Sequence, residues 1–243
     1  MPTRLPPESP VAATLRLDHR ALWSLDTLSA REVDALLQAA RRLERAARGG
    51  SPCRSLQGRN IARLGSANGF DDGAFDRAAT ELGAQVTRIG PGDPTLAGSA
   101  DLHRTGRMLG RLYDAIDCAG MPAAQFDGLQ RETDVPVFNG LATTTHPLRA
   151  LAVLVELQAL AGRDLRGLRV AFCADPASPV CLALHRLAAL AGIAEPPDPA
   201  DAEFVVEADG RVHAASAPAA DGRAAAEDAQ RYTLQALLIS TIV

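Results

Sequence analysis

The chain has 243 residues, of which 47% are hydrophobic and 22% charged, so it holds enough apolar material for one large domain or two modest ones. Its formal net charge of -4 gives it no basic surface, and this argues against nucleic acids and anionic membranes as partners. All 25 basic residues are arginine, which excludes a catalytic lysine, a Schiff base and a Walker-type phosphate loop.

The four cysteines and five histidines show no spacing that is typical of a metal site. The cysteines form no CxxC pair and mostly lie in apolar runs, a pattern typical of reduced thiols in a cytosolic protein. No apolar segment has the length of a signal-peptide core or of a membrane span. We therefore expect a cytoplasmic protein with no bound metal and no contact with a membrane.

The N-terminal part of the chain is expected to contain a flexible tail followed by a helix. Residues 1–20 are rich in proline and irregular in pattern. Ser29 and Glu32 have the spacing of a capping box, and apolar residues then recur at helical spacing until a Gly-Gly pair. We predict one long helix between the capping box and that pair.

Four short apolar segments follow, and a helical pattern comes after each of them. The segments are NIARLGS, QVTRIG, DAIDCAG and PVFNG, and the helical patterns cover residues 75–82, 104–112, 125–132 and 146–162. Such an alternation of strands and helices predicts a parallel α/β sheet. We expect this sheet to form a first domain over residues 21–150.

A second α/β unit is predicted after the linker-like segment GRDLRG. Its first strand is LRVAFCAD and its first helix is PVCLALHRLAALAG. The rest of the chain is too short for a complete doubly wound domain, because each strand–helix unit takes about 30 residues. It is predicted to hold the strands EFVVEA and RVHAA, joined by an Asp-Gly turn, and a C-terminal helix. We expect an abbreviated second domain over residues 151–243.

Several segments occur in an order that one enzyme family also shows. They are AFDRAATELGAQVTRIGPGD, TGRMLGRLYDAI, VPVFNGLATTTHPLRALA, LRGLRVAFCAD and the closing AEDAQRYTLQALL. The most specific piece is Asn139-Gly140 followed by His146-Pro147. In these segments the chain resembles the aspartate/ornithine carbamoyltransferase family, and it is most similar to the ornithine branch. The resemblance implies a carbamoyltransferase-like α/β fold, with a parallel-sheet first domain, an abbreviated second α/β domain and a C-terminal helix that returns to the first domain.

The resemblance also implies a reaction and an assembly. In the family, an amino group attacks carbamoyl phosphate and phosphate is released, with no metal or organic cofactor. Catalysis of this kind depends on positioning and on arginine and backbone N–H groups that stabilise the charge of the substrate. Family members are trimers with active sites between subunits. We therefore expect a homotrimer, or a hetero-oligomer with a related subunit.

The groups that bind carbamoyl phosphate in the family are largely replaced in this chain. The family's Ser-Thr-Arg-Thr-Arg loop matches Asn68, Gly69, Phe70, Asp71 and Asp72, so both arginines are lost and two acids are present. A carboxylate in place of a guanidinium, about 4 Å from a phosphate dianion, turns a favourable interaction of several kcal/mol into an unfavourable one. The two acids also fit a structural interpretation, as an N-cap and a first-turn acid of the following helix.

Two further regions depart from the family. The arginine that follows the family's third strand falls on or near Ala119 in DAIDCAGMP, where this chain has no arginine. The loops that bind the amino-acid substrate have no match over residues 193–243, and the first of these regions is replaced by DPASP at 175–179. Binding of ornithine or aspartate in the manner of the family is therefore not expected.

The remaining candidate site residues come from motifs that persist in part. The family's His-Pro-x-Gln motif is present as His146-Pro147-Leu148-Arg149, which makes His146 and Arg149 the candidate catalytic residues. His146 would donate to a carbonyl oxygen and Arg149 would add positive charge. The candidate ligand-binding residues are Asn68, Gly69, Arg107 and Asn139. In the structural interpretation, His146 only precedes a first-turn proline and Arg149 is a solvated surface residue.

Three functional hypotheses remain open. The leading one is a catalytically degenerate family member with a structural or regulatory role in an oligomer. The second is a divergent transferase that acts on carbamoyl phosphate or another small substrate through His146 and Arg149, with Arg107 or Arg104 as a further candidate. It requires these groups to converge on one pocket with the loop at 65–73. The third is a binding module for a cationic or neutral small molecule, recognised by Asp71 and Asp72. Fold alone does not choose among them, because one fold hosts many activities.

Overall fold

The computed structural model describes Leu17 and residues 21–22, 25–65, 73–90, 102–173, 178–217 and 222–243. Within these residues the helices are α1 Ala30–Arg48, α2 Ala74–Glu81, α3 Leu102–Leu112, α4 Ala123–Glu132, α5 Leu148–Ala161, α6 Pro179–Leu190 and α7 Arg223–Ile242. The strands are β1 Ala21–Leu22, β2 Asn60–Leu64, β3 Gln85–Ile89, β4 Ala115–Cys118, β5 Val137–Phe138, β6 Val170–Phe172, β7 Phe204–Val206 and β8 Val212–Ala214. This mixed α/β order confirms the predicted fold class.

The first helix begins where the capping box predicts. The Ser29 hydroxyl accepts a hydrogen bond from the Glu32 backbone N–H, and the Glu32 carboxylate accepts one from the Ser29 backbone N–H at 2.8 Å. These two bonds satisfy amide groups that the first turn of a helix leaves unpaired. The apolar stripe of α1 is buried against α5 and α7.

A five-stranded parallel sheet with the order β1-β5-β4-β2-β3 forms the first part of the molecule. Strand β1 pairs with β5 and was not predicted, because two residues are too few to show a periodic pattern. Since the strands are parallel, the segments that follow β2, β4 and β5 leave the sheet at the same edge. A functional site is expected at this edge.

The segments at this edge approach one another so closely that two positions require glycine. Gly65 has φ +147° and Gly140 has φ +66°, both in the region that disfavours other residues. A Cβ atom on Gly65 would lie 2.6 Å from the carbonyl oxygen of Ala119, and one on Gly140 would lie 3.2 Å from the Ala119 Cα. The turn after β4 is therefore packed between the turns after β2 and β5.

An ion pair between two fully buried side chains links the central strands. Arg63 on β2 lies opposite Asp117 on β4, and its Nε donates to the Asp117 Oδ2 at 3.2 Å. Asp117 also accepts a hydrogen bond from the Leu141 N–H at 3.1 Å, and Arg63 contacts Asp76 of α2 at 2.9 Å. Burial raises the pKa of Asp117 to about 6, although the Arg63 charge opposes this shift. The pair connects two strands, α2 and the loop after β5.

The second part of the chain is a smaller sheet packed on a buried helix. Strands β6 and β7 are parallel and β8 returns antiparallel, with the predicted Asp-Gly turn between β7 and β8. Helix α5 is buried on all faces from Ala150 to Leu157, because α1, α6, α7 and β8 surround it. The boundary near residue 150 between the two predicted domains stays a prediction.

The C-terminal helix α7 packs against α1, α2 and α5. The Gln235 side-chain amide donates to the Glu81 carboxylate at 2.7 Å, and Arg231 forms an ion pair with Glu81 at 3.1 Å. Helix α7 thus bonds to the helix that follows β2. None of the described helices has the length and apolarity needed to cross a bilayer.

Candidate functional site

A cavity of about 1320 Å³ lies at the edge where the parallel strands end. Its walls come from the turn after β4, the loop between β5 and α5, the α5 helix itself, and parts of α2, α6, α7 and the β7–β8 turn. This is the place where open parallel sheets usually bind ligands. The volume is enough for a small metabolite.

The described charged residues of the cavity wall balance each other. The acids are Asp26, Glu156 and Glu227, and the arginines are Arg77, Arg149 and Arg223. A site for a phosphate dianion is expected to carry an excess of positive charge. Above the pKa of Glu156, about 7, the described wall has no such excess, so there it suits a neutral or zwitterionic ligand better than a dianion.

His146 lies in the cavity wall directly before α5 and is only 3% exposed. The backbone N–H of Leu148 donates to its Nδ1 at 3.0 Å, so this nitrogen is an acceptor and the neutral ring carries its proton on Nε2. Pro147 follows His146 and fits the helix start because its missing N–H is not needed there. His146 is held in one orientation and can serve as an N–H donor.

Helix α5 contributes two opposite charges to the wall. Arg149 and Glu156 are seven residues apart, which places them on one face of the helix two turns from each other. Glu156 is only 7% exposed, and burial raises its pKa to about 7 while the nearby Arg149 charge opposes the shift. In the part of the chain that the structure describes, the two side chains form no ion pair with each other.

The structure brings together three of the six candidate residues. His146, Arg149 and Asn139 all line the cavity. Arg107 does not: it lies on α3 in a separate surface depression with Arg104 and Arg111. Asn68 and Gly69 lie outside the described residues, as do Asp71 and Asp72. His146 and Arg149 thus share one cavity and Arg107 lies apart from it, while their convergence with the loop at 65–73 stays a prediction because most of that loop lies outside the described residues.

Sequence reasoning missed Glu156, Arg77 and Gln230 as wall residues. Gln230 on α7 donates from its side-chain amide to the Ala142 carbonyl at 3.4 Å, which joins α7 to the loop before α5. A signal for Glu156 was present, since it is the single charged residue in the apolar run ALAVLVELQALA. Acids inside such runs are rarely buried without a partner. No comparable signal marks Arg77 or Gln230.

The metal-binding groups of the described residues are dispersed. No cluster of three His, Cys, Asp or Glu side chains there is close enough to hold a metal ion. The four cysteines are free thiols, of which Cys53, Cys118 and Cys181 are buried.

The chain matches one family model and several curated proteins of the same family. The family model for the aspartate/ornithine carbamoyltransferase, carbamoyl-P binding domain, matches residues 20–159. The chain is 32% identical over 171 residues to a catabolic ornithine carbamoyltransferase of Mycoplasma capricolum subsp. capripneumoniae, covering 70% of this chain and 54% of the relative. It is 34% identical over 163 residues to that of Burkholderia mallei, covering 67% and 48%. The chain spans about half the length of these curated relatives.

Solved structures show the same relationship. Ornithine carbamoyltransferase from Pyrococcus furiosus matches with a TM-score of 0.59 and 26% identity, covering 74% of this chain and 56% of that one. The enzyme from Thermus thermophilus shares the fold with a TM-score of 0.66 and 20% identity, covering 93% and 99% of the two chains. The sequence match over the first sheet and this shared fold agree with each other. The chain belongs to the aspartate/ornithine carbamoyltransferase family.

Proposed function

We propose that this protein does not transfer the carbamoyl group of carbamoyl phosphate to an amino acid, and that it acts as a structural or regulatory subunit of an oligomer. The observation that carries the proposal is the charge balance of the cavity wall: among the described residues, three acids offset three arginines once Glu156 is ionised, above its pKa of about 7. Carbamoyl phosphate carries a phosphate dianion, which needs a surplus of cationic donors.

Ala119 supports the same conclusion. It lies at or near the position that matches the family's arginine after the third strand. Its side chain is buried, and the backbone on both sides of it is packed against Gly65 and Gly140. The guanidinium that would polarise the carbamoyl carbonyl is therefore missing from this position. The replacement of both arginines in the family's phosphate loop by other residues adds to this loss.

The oligomer is proposed from the family resemblance. Family members assemble as trimers, and a subunit that keeps the framework of the fold can keep the surfaces that assemble it. The apolar framework of this chain is complete around α1, α5 and α7, where the largest hydrophobic core lies. We propose a homotrimer, or a hetero-oligomer in which a related active subunit is the partner.

The test is an assay of citrulline formation from ornithine and carbamoyl phosphate with the full chain. We expect turnover below about 0.1 s⁻¹, against about 1 to 10³ s⁻¹ for ordinary enzymes. An ornithine carbamoyltransferase from a relative, assayed in the same buffer, shows that the assay works. Turnover of about 1 s⁻¹ or more would refute the proposal.

A divergent transferase is the second candidate, because His146, Arg149 and Asn139 line one cavity. In this function the His146 N–H donates to a substrate carbonyl and Arg149 stabilises negative charge that develops during transfer. The test is phosphate release from carbamoyl phosphate in the presence of a panel of amines. Activity that His146→Asn removes, and that the surface variant Asp127→Asn keeps, would favour this candidate over the first.

A further inference from the structure

We propose that the α5 wall of the cavity binds a small zwitterion, such as a short ω-amino acid, with its ammonium group on Glu156 and its carboxylate on Arg149. The proposal concerns a ligand site and a ligand class, and it holds whether or not the protein carries out any transfer. It places a cationic group in the part of the fold that the family match assigns to carbamoyl phosphate.

The first argument is the state of Glu156. More than nine tenths of this residue is buried, yet it lines the cavity. Its carboxylate makes no hydrogen bond with any other residue that the structure describes. Burial without hydrogen-bond donors disfavours the charged form of a carboxylate, so an ammonium group bound in the cavity would stabilise that charged form. The Glu156 carboxylate can therefore accept hydrogen bonds from the ammonium group of a ligand bound in the cavity.

The second argument is the position of Arg149. Its Cα lies about 10.5 Å along the helix axis from that of Glu156, because seven residues separate them. The two groups are near enough for the Arg149 charge to act on Glu156, but no ion pair joins them. The Arg149 Nη2 lies beside the β7–β8 turn, 3.9 Å from where a Cβ on Gly210 would be. A ligand with a charge at each end is therefore able to bridge the gap.

The third argument is the surface between the two charges. Ala152 and Val153 line the cavity between Arg149 and Glu156 along the same helix. Both residues are apolar and nearly buried, so they form a floor for the methylene groups of a ligand. An apolar segment between two opposite charges matches a chain such as β-alanine or 4-aminobutyrate. It does not match inorganic phosphate or carbamoyl phosphate, which have no apolar part.

The experiment measures binding of β-alanine and 4-aminobutyrate to the full chain by isothermal titration calorimetry at pH 8, where the Glu156 carboxylate is charged. Butyrate and n-butylamine serve as probes with one charge, and phosphate and carbamoyl phosphate as anionic probes. We expect saturable binding of at least one zwitterion. Each singly charged probe is expected to bind at least about tenfold more weakly, since it loses one charged contact.

The variants identify the contacts. Glu156→Gln and Arg149→Gln are each expected to weaken zwitterion binding at least about tenfold, and Glu156→Asp is expected to keep part of it. Asp127→Asn on α4 and Arg111→Gln on α3 remove the same charges from exposed positions outside the cavity, and they are expected to leave binding unchanged. Circular dichroism of each variant confirms that it is folded.

Three results would overturn the proposal. One is the absence of binding by both zwitterions, another is equal binding to the wild type and to Glu156→Gln, and the third is tighter binding of phosphate than of any zwitterion. The citrulline assay is independent of these results. An active enzyme that binds zwitterions through Glu156 would reject the proposed function and keep this inference, whereas an inactive protein that binds none would do the reverse.

Discussion

Glu156 is a charged residue in the buried middle of helix α5. Its neighbours along α5, from Ala150 to Leu157, are all buried, so its carboxylate loses most of its hydration. Desolvation disfavours the charged form, and Arg149 compensates only in part because it is not in contact. The folded state therefore holds a carboxylate that titrates near neutral pH.

This titration predicts how stability depends on pH. Burial raises the pKa of Glu156 from 4.5 to about 7, so its contribution to stability is complete below about pH 4.5 and is lost as the pH rises through about 7. Glu156→Gln removes this loss. We expect the variant to be more stable than the wild type by about 1–3 kcal/mol at pH 8, and by less than about 1 kcal/mol at pH 5.

Urea unfolding at the two pH values measures the effect. Asp127→Asn is the matched control, because it removes one exposed acid outside the cavity. A Glu156→Gln variant that is equally stabilised at pH 5 and pH 8 would show that the charge of Glu156 is not the cause.

The buried ion pair of Arg63 and Asp117 is a second feature at the residue scale that affects stability. Both side chains are fully buried, and each is costly to bury alone. The Arg63 Nε donates to Asp117 and its Nη1 donates to Asp76, and Asp117 also accepts from the Leu141 N–H. The pair therefore ties together the strands whose ends support the cavity.

Removing one partner is expected to be worse than removing both. Asp117→Leu removes the buried carboxylate that pairs with the Arg63 guanidinium. We expect this variant to destabilise the protein by about 3–5 kcal/mol. The double variant Arg63→Met/Asp117→Leu is expected to be less destabilised than this single variant. A double-mutant cycle in urea measures the coupling. A double variant whose loss equals the sum of the two single losses would contradict the pairing.

At the scale of elements, α7 holds the molecule together. It lies against α1, α2 and α5, and it bonds to Glu81 through Gln235 and Arg231. Its inner residues from Tyr232 to Ile239 are buried. Since α2 contributes Ala74 and Arg77 to the cavity wall, α7 also supports one side of the cavity.

A truncation of one side chain on α7 tests this role. Leu237→Ala is expected to cost about 2–5 kcal/mol, because Leu237 is fully buried and the cavity left behind has no atoms to fill it. Leu160→Ala on α5 is the matched control, since Leu160 is 50% exposed and its loss is expected to stay within about 0.5 kcal/mol. Denaturant midpoints of both variants provide the measurement. Equal losses would mean that α7 is not part of the core.

At the scale of the whole molecule, the central question is assembly. The sequence match covers about half of the length of the curated relatives, and the chain contains the parallel sheet, α1, α5 and a closing helix. The second sheet contributes Gly210 of the β7–β8 turn to the cavity wall.

Light scattering after size-exclusion chromatography tests the proposed homotrimer. We expect a mass of three times 25.5 kDa, and the same mass in the presence of phosphate. A single-chain mass across the micromolar range would exclude the homotrimer. Co-expression with an ornithine carbamoyltransferase from the same organism then tests the hetero-oligomer, with the mass of the mixed complex as the result.

Much of the fold was predictable because helices and strands leave local patterns in the sequence. The capping box at Ser29 and Glu32 placed the start of α1, and alternating strands and helices indicated the parallel sheet. The Asn139-Gly140 and His146-Pro147 motif located one wall of the cavity, since these residues directly follow β5 and precede α5. Strand β1 was missed because its two residues carry no pattern.

The sequence alone indicated the family and the order of the elements, since both depend on side-chain type and short spacing. Only the tertiary structure decided which side chains share the cavity. Arg107 matched a motif but lies on a helix face that points elsewhere, whereas Glu156 matched none and lies in the wall. The reason is physical: burial, pKa and charge balance arise from groups that are distant in sequence and meet only when the sheet and its helices pack.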